Sequence, residues 1–174
     1  MQFSTGQIVV HPHHGPATVA AITTRTIKQQ PVSYLQLKVH SSDLTVALPL
    51  DKADEIGLRD VYSSDELKKL FEILHTPTDH EEETWSRRFK ENQDRLRSGD
   101  LHVTAAVVRD LTRREHRKGL SMGERTMLKA ARTTVLTELC LGLSLPEEQA
   151  EQMLDSAIMS SEPTASEREV VALG

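Results

Sequence analysis

The stretch Thr84-Trp85-Ser86-Arg87-Arg88-Phe89-Lys90 sets the only tryptophan of a 174-residue chain beside three cations, within five residues of it. On a helix Trp85 and Phe89 share one face at i, i+4, while Arg87, Arg88 and Lys90 spread over the flank. An indole can stack on or wedge between bases, and the flanking cations can hold phosphates. The chemistry this pattern fits is therefore contact with nucleic acid, not bond making. The plainer reading makes Trp85 a core residue and the cations a solvated helix face. His11, His13 and His14 put three imidazoles into four residues, yet no Cys, and no Asp or Glu nearer than Asp43, completes a ligand shell. We expect no metal there. No Gly-rich phosphate loop, nucleophile elbow or paired-carboxylate context occurs, so no cofactor and no enzyme activity is expected.

Charge supports the nucleic-acid reading, because it is sorted along the chain. From Trp85 to Arg132 there are 13 Lys or Arg against 6 Asp or Glu, although the whole chain carries a net charge of -5. The flanking segments 54–84 and 133–174 are each strongly acidic. A whole-chain isoelectric point would hide this basic block. Cations that crowd a helix C-terminus, such as Arg113, Arg114, Arg117 and Lys118, are favoured by the helix dipole alone. Some must also pair with Asp110 and Glu115. The surplus suits phosphate.

Two patterns of hydrophobic spacing position these residues. Residues 1–53 read as strand: Gln7 to His11, Ala17 to Thr24, Tyr34 to Val39 and Leu44 to Leu48, broken at Pro12, Gly15-Pro16, Gln29 to Pro31 and Ser41 to Asp43. Four or five short strands in so few residues predict a small, strongly bent SH3- or Tudor-like β-barrel. Residues 54–62 read as a polar linker. From residue 63 to 160 the period becomes helical. Ser63-x-x-Glu66 and Ser121-x-x-Glu124 are capping boxes, and Asp79 to Glu83 read as the acidic first turn of the Trp85 helix. About five helices form an all-α bundle: the first buries Leu67, Leu70, Phe71 and Leu74, the third Val103, Ala106, Val107 and Leu111, and the fourth Leu128, Ala131, Val135, Leu136 and Leu139. The last buries Ala150, Met153, Leu154, Ala157 and Ile158, with Pro146 in its first turn. Residues 161–174 are rich in Ser, Glu and Pro and are expected to be disordered. The fold class expected is α+β in two domains.

Several of these strings resemble one family. Val9-Val10-His11-Pro12-His13-His14-Gly15-Pro16-Ala17, Thr24 to Lys28, Tyr34 to Val39, Trp85 to Lys90, Val107 to Leu111 and Gly119 to Glu124 are similar, in combination, to the CarD/CdnL family of bacterial transcription regulators. The resemblance covers about residues 1–143. It implies an N-terminal Tudor-like domain, like that of transcription-repair coupling factors, docking on the RNA polymerase β subunit. It also implies a helical domain that contacts promoter DNA at the upstream edge of the transcription bubble. The residue matching Trp85 would wedge into the minor groove there and favour the open complex, with little sequence specificity. By this resemblance Trp85, Arg87, Arg88, Lys90 and Arg125 face DNA, and Arg25, Thr26, Ile27 and Ala47 face polymerase. Ala47 stands where the resemblance places a basic residue, and His11 where it places a tyrosine.

An alternative from another class is a protein–protein adaptor of the transcription machinery that never touches DNA, with Trp85 as an interface anchor. The single cysteine, Cys140, lies among leucines and reads as a small core residue. It allows no internal disulfide, which fits a reducing compartment. No apolar run reaches the length of a membrane span and no apolar leader follows Met1. The expectation is a cytoplasmic, nucleoid-associated monomer.

Overall fold

The computed structural model describes residues 2–40, 42–78 and 82–160, and the chain divides into two compact units, residues 1–61 and 62–174. The expected disordered tail, 161–174, lies outside the described residues.

The first unit is one antiparallel sheet of five strands in the order β4-β3-β2-β1-β5. The strands are β1 (Ile8–His11), β2 (Gly15–Ile27), β3 (Gln30–Val39), β4 (Thr45–Pro49) and β5 (Arg59–Asp60). The sheet is bent but not closed, since β4 and β5 remain its two rims. Residues with period-two spacing line its inner face: Val9, Ala17, Val19, Leu35, Leu37, Val39 and Leu48 are all buried. A bulge between Val19 and Ala21 on β2 supplies part of the bend.

Two expectations change here. The polar break at Gln29 to Pro31 is instead the tip of a long hairpin. Ile27 pairs with Gln30, and Lys28 and Gln29 both have positive φ (49° and 65°), the twist that a two-residue hairpin turn needs. Pro31 fits in β3 because β4 covers only Tyr34 to Lys38, so its missing N–H faces no ladder. The second change concerns the linker expected over 54–62. A 3-10 turn (Leu50–Lys52), the short helix α1 (Ala53–Ile56) and β5 belong to this unit. Ala53 and Leu58 are buried in its core and β5 pairs with β1. Gly57 takes a left-handed conformation (φ 87°) to end α1 and return the chain to the sheet.

The second unit is a bundle of α2 (Ser64–His75), α3 (Trp85–Leu96), α4 (Leu101–Lys118), α5 (Met122–Leu143) and α6 (Glu147–Met159). Both capping boxes are present: Ser63 with Glu66 opens α2, and Ser121 with Glu124 opens α5. The inward stripes of α2, α5 and α6 are the expected ones. Fully buried leucines such as Leu67, Leu70 and Leu139 each contribute about 1.5–3 kcal/mol. α4 touches α2, α3, α5 and α6. Covered on several sides, it buries Leu101, Ala105 and Val108 besides the expected Val107 and Leu111, while the expected Val103 and Ala106 are only partly buried. Pro146 is the residue before α6 rather than inside its first turn.

Candidate nucleic-acid interface

α3 begins at Trp85, not in the acidic run before it. Thr84 is the N-cap residue but caps nothing with its own side chain, and Glu82 accepts the Thr84 amide at 2.8 Å from outside the helix. Asp79, which began the expected acidic first turn, lies outside the described residues, as do residues 80 and 81. Trp85 thus sits at a helix start, 52% exposed. It is not a core residue. Its ring lies 5.8 Å from that of Phe89, and its indole N–H donates to Ser121 Oγ at 2.9 Å. Met122, the first residue of α5, is the most exposed large apolar residue among those described, at 78%.

Arg87 and Lys90 are exposed, and among the described residues neither lies within ion-pair distance of a carboxylate. Arg88 was expected beside them on the DNA side and does the opposite. It is buried, with Nε on Glu124 Oε1 at 2.7 Å and Nη1 on the Glu82 and Glu83 carbonyls at 2.8 and 3.2 Å. Successive residues on a helix are 100° apart, so Arg87 and Arg88 cannot face the same way. The same geometry makes Arg88 and Asn92 the buried face of α3, where Phe89 and Leu96 are only partly covered. Burial pushes the Glu124 carboxyl up, but the hydrogen bonds from Arg88 and Ser121 outweigh it and hold the group below the usual carboxylate range.

Much of the remaining basic block is structural too. The C-terminal carbonyls of a helix have no partners within it. Arg113 collects three from its neighbours: Thr76 and Leu74 at the end of α2 (2.7 and 3.0 Å) and Ile158 at the end of α6 (2.9 Å). Arg109 takes the Ile73 carbonyl at 2.9 Å and pairs with Asp110. Arg132 joins α5 to α6 through Asp155 at 2.6 Å and Glu151 at 3.3 Å. Lys118 binds Glu83 at 2.8 Å, and that hydrogen bond holds the Glu83 carboxyl low. Arg125, also expected on the DNA side, is 57% exposed in its side chain and meets Glu115 at 3.3 Å. An exposed pair of this kind is worth little and is easily exchanged for another anion.

On the sheet unit, register decides which expected docking residues belong together. Ala47 pairs with Gln36, which pairs with Ala21, and Arg25 lies four residues further along β2. Side chains alternate faces, so Ala47, Arg25 and Ile27 share the face opposite the core, and Thr26 has the other. Arg25 and Ala47 stand about 13 Å apart along the strands. All four are exposed, and the Arg25 guanidinium lies over the Tyr34 ring at 5.5 Å. The His11, His13 and His14 rings cluster, 4.7–5.9 Å from His11. His11 is buried, and its Nδ1 accepts the His13 amide. Burial, then His14 and His13, lower its pKa. Among the described residues no three His, Cys, Asp or Glu side chains converge as a ligand set. Nor is any described helix long and apolar enough to cross a membrane.

Sequence reasoning missed the hydroxyl that holds the indole. The capping box at Ser121 was legible, but its second use depends on a residue 36 positions earlier. Family models match both units of the chain: the CarD-like/TRCF RID domain over residues 3–62 and the C-terminal domain of CarD over residues 69–155. The second match runs past residue 143, the expected limit of resemblance, and takes in most of α6. The chain is also similar to the protein named "Putative transcription factor YdeB" of Bacillus subtilis (strain 168). The two are 29% identical over 147 residues, 84% of this chain and 96% of that one.

Proposed function

The chain belongs to the CarD family, and from that premise we propose that it is a transcription regulator that docks on the RNA polymerase β subunit and stabilises the promoter open complex. The observation that carries this reading is Trp85, a large ring held half-exposed beside the exposed cations Arg87 and Lys90. A ring so placed enters the minor groove at a partly unstacked step and offsets some of the unstacking cost, while the cations hold the phosphates on either side. The contact reads deformability, so specificity is low. Such a small surface binds weakly alone, and docking on polymerase raises its effective concentration. Arg25, Ile27 and Ala47, on one outer face of the sheet, form the polymerase side.

Trp85→Ala tests the wedge. Stability should change by less than about 1 kcal/mol, because the ring is half exposed, whereas a core tryptophan would cost about 3–5 kcal/mol. The open-complex lifetime on a promoter fragment should fall. A melting temperature that collapses, with the lifetime per folded molecule unchanged, sinks the wedge and leaves the adaptor reading. Arg25→Glu tests docking. It should weaken retention on the isolated β fragment without unfolding the sheet. Equal retention of both proteins would remove this face from the interface.

A further inference from the structure

An exposed ring at a helix start samples several staggered side-chain wells unless something selects one. Two direct contacts, and one behind them, select one for Trp85. The indole N–H donates to Ser121 Oγ, the ring faces Phe89, and Phe89 is seated against Gly123, where an added Cβ would stand 3.1 Å from the phenyl ring. The Ser121 contact is more than a chance neighbour, because that hydroxyl is fully used. A serine hydroxyl has one hydrogen to give and two lone pairs. Here the hydrogen goes to Glu124 Oε2 at 2.8 Å, and the lone pairs face the indole N–H and the Glu124 amide at 3.3 Å.

The direction of the hydroxyl is therefore set by the Glu124 carboxylate, which can only accept. That carboxylate is itself fixed by Arg88 Nε at 2.7 Å and the Ser121 amide at 3.0 Å. Arg88 Nη1 then returns to the Glu82 and Glu83 carbonyls, in the chain that enters α3. The links run from α3 to α5 and back to the residues just before Trp85. Capping of α5 alone would account for Ser121 and Glu124. It does not call for the bond to the indole, nor for an arginine buried between the two helix starts.

We propose that Ser121, backed by Glu124 and Arg88, is a positioning residue that presets the Trp85 indole in the orientation in which it meets DNA; this rests on the wedge reading of Trp85. A ring already confined to one well gives up little freedom on binding, and a weak contact gains most from that saving. The buried pair and the exposed wedge are then parts of one device.

The free protein tests this directly, because Trp85 is the only tryptophan and its fluorescence reports on one ring. Ser121→Gly removes the hydroxyl but leaves a residue that caps a helix nearly as well. The time-resolved anisotropy of Ser121→Gly should show added indole motion in the picosecond–nanosecond range. Its melting temperature should stay near that of the parent. The open-complex lifetime should fall about two- to tenfold, the range a single hydrogen bond commands. Ser121→Thr, which keeps a hydroxyl, should restore both. Parental indole motion in Ser121→Gly overturns the proposal. So does a parental lifetime in Ser121→Gly when Trp85→Ala shortens it. If Trp85→Ala leaves the lifetime unchanged, the wedge reading falls by itself, and the anisotropy still decides whether Ser121 holds the ring. Should Ser121→Gly unfold α5, the unaltered protein decides: its indole N–H must exchange more slowly than that of free tryptophan, and an equal rate overturns the proposal.

Discussion

Arg87 and Arg88 are chemically identical neighbours with opposite fates. Arg88 is 7% exposed and bound to a buried carboxylate and two carbonyls, whereas Arg87 stands in solvent. Other cations of the basic block divide along the same line. Arg109, Arg113 and Arg132 tie helix ends and helix pairs together, while Lys90 and Lys129 join Arg87 outside. A count of cations therefore overstates the surface available to phosphate. A buried guanidinium is held by short, directed bonds and tolerates no rival anion. An exposed one keeps its water and is free to exchange it.

Removing cations one at a time should make that division measurable. Arg88→Ala leaves Glu124 buried without its charge partner and should destabilise the helical unit by about 3–5 kcal/mol, read by chemical denaturation. The same carboxylate gives the pair a pH signature. Its folded pKa is held below the ordinary carboxylate value, so its contribution is fully present above that ordinary value and is lost as pH falls through the folded one. Glu124→Gln should flatten this acid limb, and an unchanged limb would mean that the pair adds nothing to stability. Arg113→Ala strands carbonyls at the ends of both α2 and α6 and should cost about 1–3 kcal/mol. Protection of amides in the last turns of both helices should drop together; a loss confined to α4 would break the account of Arg113 as a shared cap. Arg87→Ala and Lys90→Ala stand at the other extreme. Each should move stability by no more than about 0.5 kcal/mol, yet lower the salt slope of DNA binding by about one ion. An Arg88→Ala protein that is fully stable, or an Arg87→Ala protein that is not, would erase the contrast.

The same contrast marks what sequence could convey. Ser63-x-x-Glu66, Ser121-x-x-Glu124 and the stripes of α2, α5 and α6 were legible because their partners lie within a few residues. Arg88 was not, because its burial depends on a glutamate 36 positions away, and a cation on a helix flank is exposed by default. β5 escaped notice for a different reason. Two polar residues, Arg59 and Asp60, offer no alternation, and their pairing with Val10 and Val9 is set by α1 and Gly57. The start of α3 was misplaced because acidic residues near a helix start are only a weak signal. Glu82 and Glu83 instead serve through their carbonyls, which Arg88 binds.

Pro31 gives the outer hairpin a property of its own. Beyond Tyr34 no described strand covers the side of β3 away from β2, and bare strand edges invite other chains to add on and aggregate. In a hairpin closed by Ile27 and Gln30, the amides of residues 31 and 33 are the ones directed away from β2. Proline has no N–H to offer, so of those two sites only Ser33 can donate to an incoming strand. That edge of the hairpin is thereby blunted against an added strand, whereas on the opposite edge, where β1 covers only Gly15 to Thr18, the amides of Thr24 and Thr26 point outward.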